Sequence, residues 1–183
     1  MATVVESSRG RYALAGVLLA GSAVAVGLGV YGREHDLGSK PLFFGLTDLL
    51  KAKAWFATAA LVFVLLQVVS ALWMWGRLPG VRTVPGWVAP IHRWSGAVAF
   101  VLLIPVALNC LWSLGFVTTT TRALVHSVAG CVFYGAYTAK MLGLRLRSSP
   151  GWLLPALGGL VFAAFITLWL TSALWFFRNF GAT

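Results

Sequence analysis

Five stretches of this chain are each about as long and as apolar as the hydrocarbon core of a bilayer, which a helix crosses in about 20 residues. They run from Tyr12 to Tyr31, from about Ala54 to Trp75, from about Pro90 to Phe116, from Arg122 to Leu142 and from Trp152 to Phe177. Lipid offers the backbone no hydrogen bonds, so only helices and closed β-barrels span it. A barrel strand alternates apolar and polar residues over about ten positions, and these runs do not alternate. The expected architecture is an all-α integral membrane protein, a five-transmembrane-helix bundle forming one domain over residues 1–183.

Composition closes off the soluble alternative. The chain is 60% hydrophobic and 10% charged, where a soluble domain carries roughly 25% charged residues. Its 14 Lys and Arg against 4 Asp and Glu give a net charge of +10. Those basic residues form no nucleic-acid motif. They lie at the ends of apolar runs, where they anchor helices and meet anionic lipid. The 2 cysteines, Cys110 and Cys131, both fall inside apolar spans, which excludes a disulfide framework. They are either small interior side chains or a redox or metal pair.

The connections fix the course of the chain. Residues 1–10 are expected to form a short flexible tail. The first span, preceded by Arg9 and Arg11, has the length of a retained signal anchor and no convincing cleavage site. The loop from Gly32 to Lys53 holds Glu34, Asp36 and Asp48, and its segment Thr47-Asp48-Leu49-Leu50-Lys51 has the form of an N-capped helix start. Pro79-Gly80 and Pro85-Gly86 are turn signals in the second loop. The short Thr run before Arg122 makes the third and fourth helices antiparallel neighbours.

Charge asymmetry sets the orientation. The N-terminus, second loop and fourth loop carry Arg9, Arg11, Arg77, Arg82, Arg93, Lys140, Arg145 and Arg147. The opposite side carries Arg33, Lys40, Lys51, Lys53, Arg122 and Arg178. The excess of basic residues predicts a cytoplasmic N-terminus and a C-terminus outside. Trp55, Trp73, Trp75, Trp87, Trp94, Trp112, Trp152 and Trp175 fall near helix ends, as an aromatic belt requires. Trp169 lies deeper and packs against a neighbour or a prosthetic group. Gly21, Ala25 and Gly29, and likewise Gly159 and Ala163, present small-residue faces for close helix approach, within the monomer or between copies.

Ionisable groups at membrane depth are costly and therefore functional candidates. His92 and His126 are the histidines of the apolar spans. A helix rises about 36 Å from His92 to Phe116, at about 1.5 Å per residue, so His92 belongs near the inner face. His126 follows Arg122 closely and belongs near the outer one. Neutral imidazole is a common axial ligand of haem iron. If both ligate, two sites are needed. His35, in the outer loop, is the partner available to His126, or else a solvated loop histidine. His92 has Met74 or Met141 as a chemically possible partner, although methionines at helix ends also serve as packing. Arg93 is placed to pair with a haem propionate or to anchor the inner face. Structural, proton-handling and quinone roles for His92 and His126 stay open beside haem ligation. Gln67 and Asn109 are expected to hydrogen-bond neighbouring helices.

The stretch His92-Arg93-Trp94-Ser95-Gly96, followed by Leu-Val-His126-Ser-Val-Ala-Gly130, resembles one helical hairpin of the transmembrane b-561-type cytochromes. In that family such histidines are axial ligands of two different haems. The resemblance implies haem b, with His92 on an inner haem and His126 on an outer one. The family takes the opposite ligands from histidines on two other membrane helices, whereas the first, second and fifth spans here have none. Over nearly its full length, and most closely at Gln67 to Trp75, His92 to Phe116 and Gly-Cys131-Val-Phe-Tyr134-Gly, the chain is also similar to a family of five-span actinobacterial membrane proteins. That likeness implies the fold and a bacterial plasma membrane.

Two functions follow as expectations. One is a small b-type cytochrome-like subunit passing electrons between a quinone or inner donor and an outer acceptor, with His92, His126, His35 and Arg93 around haem. The other is a non-redox anchor or accessory subunit of a larger membrane complex. A transporter lacks an acidic relay here, and a hydrolase lacks a catalytic set.

Overall fold

The computed structural model describes residues 2–37, 48–81, 83–146 and 149–181, with side chains from Gly10 onward. Lys40, Thr47, Arg82 and Arg147, and the side chain of Arg9, which entered the charge and capping arguments, lie outside the described residues. Every regular element among the described residues is helical: α1 (Ala2–Glu34), α2 (Leu49–Met74), α3 (Val88–Asn109), α4 (Thr121–Gly143), α5 (Leu153–Trp169) and α6 (Trp175–Phe180). A π-helical turn, Cys110–Leu114, prolongs α3, and another, Leu170–Leu174, joins α5 to α6.

Four of the resulting rods are long and apolar enough to cross a membrane: Gly10–Glu34, Leu49–Met74, Val88–Leu114 and Leu153–Phe180. The 23-residue α4 has the length but is less apolar, because it carries Arg122, His126, Tyr134, Tyr137, Thr138 and Lys140. Helix α1 begins at Ala2, so residues expected as a short tail are helical. Neither Gly nor Pro precedes Gly10, and extending an existing helix adds one hydrogen bond per residue fixed.

Local chemistry sets several boundaries. Asp48 caps α2 as the sequence suggests, its side chain accepting from the Lys51 N–H at 3.0 Å. The same helix ends in a Schellman motif. Gly76 has φ of 64°, its N–H donates to the Trp73 carbonyl, and the Arg77 N–H donates to the Leu72 carbonyl at 2.8 Å. Thr120 caps α4 by accepting from the Ala123 N–H. Pro105 has no N–H to give the preceding turn. The helix runs through it nonetheless and widens into the π turn five residues later, while the Asn109 side chain donates to the Pro105 carbonyl at 2.9 Å. Asn109 thus makes a bond within its own helix.

The chain forms two compact units. The first comprises residues 1–36 and 115–168. In it α1 and α4 run antiparallel along a seam of small residues. A methyl group placed on Gly21 would lie 2.6 Å from the Gly135 carbonyl oxygen and 2.8 Å from Ala139 Cβ. One placed on Gly135 would lie 2.6 Å from the Gly21 carbonyl oxygen and 2.8 Å from Ala25 Cβ. Gly29 faces Cys131 and Phe116. The expected Gly21, Ala25 and Gly29 face therefore serves packing within the chain. At one end of the seam Val17, Ala139, Leu153 and Leu157 form a buried cluster. At the other, the Phe116 N–H donates to the Gly32 carbonyl at 2.6 Å, and Ser127 Oγ accepts from the Val117 N–H at 3.1 Å. Helix α5 meets α4 through Phe165 against Phe133 and Leu168 near Gly130.

The second unit comprises residues 37–114 and 169–183. Its core is the antiparallel pair α2 and α3. Trp73 packs edge-on against Trp87 with ring centroids 5.1 Å apart, and its Nε1–H donates to the Thr83 carbonyl, which ties the connecting loop down. Ala54 and Ala57 on α2 pack with Ala173 and Phe176 of the last rod. Trp169 donates its Nε1–H to Thr58 Oγ1 at 3.1 Å. It thus bonds and packs against a neighbouring helix. Trp55, Trp75, Trp87, Trp94, Trp112 and Trp152 are exposed, as an interfacial belt requires.

Candidate functional site

Among the described residues, a dense polar cluster lies in the seam between α2 and α3, one turn into α3. Gln67 and Ser70 reach it from α2. His92 and Ser95 reach it from α3, where a spacing of three residues puts them on one helix face. Ser70 Oγ is 2.8 Å from His92 Nδ1. Gln67 Nε2 donates to Ser95 Oγ at 2.7 Å and also to the His92 carbonyl. Ser95 Oγ lies 2.7 Å from the Ile91 carbonyl, and Ser70 Oγ lies 2.6 Å from the Leu66 carbonyl. Ser70 and Ser95 are buried, while Gln67 and His92 are half-buried.

The motif His92-Arg93-Trp94-Ser95-Gly96 acquires a physical meaning here. Gly96 is the slot that admits Gln67: a methyl group on Gly96 would stand 3.0 Å from Gln67 Oε1 and 3.2 Å from its Cδ. Arg93 and Trp94 point out of the seam, and Trp94 is 73% exposed. The sequence expectation that Gln67 bonds a neighbouring helix matches this geometry. Ser95 is a member of this cluster to which sequence reasoning gave no role, although its spacing of three from His92, with Gly96 next to it, was the available signal.

The other two histidines lie in the first unit. His35 follows the end of α1. Its Nδ1 is 2.7 Å from the Tyr31 carbonyl oxygen, and its ring stacks on the Tyr31 ring at 4.3 Å. His126 sits on α4, but not on the side that meets α1. Cys131, Gly135 and Ala139 form the side facing α1. At about 100° per residue, His126 lies about 180° from the middle of that stripe. It shares instead the side of Gly130 and Phe133, which α5 covers.

Axial ligation tests these positions. His126 thus lies on the side of α4 turned away from α1, the helix that His35 follows. The His92 ring is held through Nδ1 by Ser70. The second unit contains no other histidine. Met74 stands one turn beyond Ser70 on the same side of α2. The tight approach of Gln67 to Gly96 leaves no width for a porphyrin between the two helices at that level. Any haem on His92 therefore lies outside the α2–α3 seam. Among the described residues, no group of three or more His, Cys, Asp or Glu is arranged to hold a metal ion. Neither Cys110 nor Cys131 is in a disulfide.

Residues 14–183 match a family described as one of unknown function (DUF6529). No curated protein and no solved structure matches the chain.

Proposed function

We propose that this chain, which belongs to the DUF6529 family, is a five-span subunit of a bacterial plasma membrane that carries one b-type haem on His92. It passes electrons between a quinone or other inner-side donor and an outer-side acceptor. The observation that carries the reading is the arrangement at His92. An ionisable ring is held at the end of an apolar helix by Ser70 across the seam, with Arg93 exposed beside it. The haem supplies one-electron reduction and reoxidation. The chain supplies the rest: His92 binds, Ser70 and Gln67 orient, Arg93 offers a guanidinium to a propionate, and the closed α2–α3 seam excludes water.

Five crossings are supported by the two antiparallel pairs. Helix α1 opposes α4, and α2 opposes α3, as strict alternation across a bilayer requires. Arg122 and Lys140 lie near the two ends of α4, where long side chains reach the headgroups. With both native cysteines replaced, a cysteine at Ser149 is expected to react with a membrane-impermeant maleimide only from the cytoplasmic side, and one at Thr119 only from outside. Labelling of both from one side would remove α4 as a span.

A second reading is favoured by the completeness of the same network. Gln67, Ser70, Ser95 and Gly96 all have packing or hydrogen-bonding roles that need no cofactor, as an accessory anchor subunit would have. Reduced-minus-oxidised spectra of the purified protein, with a pyridine haemochrome assay, decide between the two. The haem reading expects α and Soret bands at about one haem per chain, lost entirely in His92→Ala and kept in His35→Ala and His126→Ala. Folded wild-type protein with a flat spectrum, from cells supplied with haem, makes the anchor reading the correct one.

A further inference from the structure

We propose that Ser70 is a positioning residue that fixes the tautomer of His92, placing the ring proton on Nδ1 and leaving Nε2 as the nitrogen with which this histidine acts. The inference deepens the haem reading only in what Nε2 would bind. The tautomer stands on the hydrogen bonds alone.

A serine hydroxyl has one proton to give. Ser70 Oγ lies 2.6 Å from the Leu66 carbonyl oxygen and 3.2 Å from that of Gln67. Two bare oxygens at the shorter distance repel, so the hydroxyl proton must lie between Ser70 and Leu66. The oxygen of Ser70 then has only lone pairs for His92 Nδ1, 2.8 Å away. Nδ1 must therefore donate. A neutral imidazole protonated at Nδ1 carries its lone pair at Nε2.

The lower half of the network obeys the same logic. Ser95 gives its proton to the Ile91 carbonyl at 2.7 Å. It therefore accepts from Gln67 Nε2, which also faces the His92 carbonyl. Reversing the Gln67 amide would set its oxygen against both acceptors, so its orientation is fixed as well. Each serine thus donates back into its own helix and accepts from the opposite one. His92 is gripped twice across the seam: its ring by Ser70, its backbone carbonyl by Gln67. A donor bond from the far ring nitrogen holds an imidazole in place and raises the basicity of the other nitrogen. Losing such a partner typically costs about 10–100-fold in metal affinity.

The test uses full-length protein labelled with 15N-histidine in detergent above pH 8, with the His92 resonances assigned by difference against His92→Ala. The wild type is expected to show Nδ1 protonated and Nε2 unprotonated. Ser70→Ala is expected to lose that preference and to retain haem at least about 10-fold more weakly. Ser70→Thr, which keeps the hydroxyl, restores the tautomer. Ser95→Ala loosens the seam but leaves the His92 tautomer unchanged, which separates positioning from mere packing. A wild-type His92 protonated at Nε2, or an unchanged tautomer in Ser70→Ala, overturns the proposal. A protein that binds no haem but keeps its proton on Nδ1 sinks the haem reading and leaves the Ser70 assignment standing.

Discussion

Gly135→Leu is expected to separate α1 from α4. The first atom of any side chain at this position would stand 2.6 Å from the Gly21 carbonyl oxygen and 2.8 Å from Ala25 Cβ. One of those neighbours is backbone and the other is a Cβ fixed to backbone, so neither can rotate away. Overpacking in ordinary cores costs about 1–3 kcal/mol. Two rigid obstacles and a branched side chain put Gly135→Leu at or above about 3 kcal/mol. Gly135→Ala should already show part of the effect. Cys131 is the natural reporter, because it lies on the same seam facing Gly29. With Cys110 replaced, a thiol-reactive dye should label Cys131 at a lower temperature in Gly135→Leu than in the parent, by at least about 5–10 °C. An unchanged labelling midpoint would mean that α1 does not pack on α4 through this seam.

Gln67→Glu changes almost no volume, yet it should unlock α2 from α3. The Gln67 amide nitrogen donates to two acceptors, Ser95 Oγ and the His92 carbonyl. An ionised glutamate has no proton to offer, so it turns both contacts into oxygen facing oxygen. It also places a charge in an apolar seam. An unpaired buried polar group costs about 1–3 kcal/mol, and an acid at the centre of a membrane helix about 2.5–3.5 kcal/mol on insertion scales. A loss of about 3 kcal/mol is expected. Gln67→Met removes the bonds without adding charge and should lose only about 1 kcal/mol, within the range for membrane hydrogen bonds. Thermal unfolding followed by fluorescence of Trp73 and Trp87, which pack together across this pair, measures both. Equal stability of the two variants would show that the donor role of Gln67 is not what holds the seam.

Much of the fold was legible because lipid imposes it. Span lengths, the Asp48 cap, the Gly21–Ala25–Gly29 stripe and the packing of Trp169 all follow from local composition or from residues at helical spacing. The choice of partners was not legible. Nothing in α1 says that its glycines meet Gly135 and Ala139 rather than another small-residue face. His126 illustrates the same limit for the site. Depth along a helix can be counted from the sequence, so a place at the same end as His35 was readable. Direction around the helix acquires meaning only once the neighbour is known, and it turns His126 away from α1. The His92 motif was legible only in part. Its histidine drew attention as a ligand, while the packing roles of Ser95 and Gly96 need Gln67 in place to be seen.

The pairing of α1 with α4 also dictates a waiting time during synthesis. Helices α2 and α3 are consecutive and can pair as soon as the second of them leaves the ribosome. Gly21 must wait for Gly135, roughly 110 residues later, which at about 5–20 residues per second is on the order of 5–20 s. Throughout that interval the glycine face of α1 is open to lipid, to the insertion machinery and to the same face on other nascent chains. The most vulnerable moment in the life of this protein is therefore set before α4 exists, and substitutions at Gly21 or Ala25 act first on the yield of inserted chains.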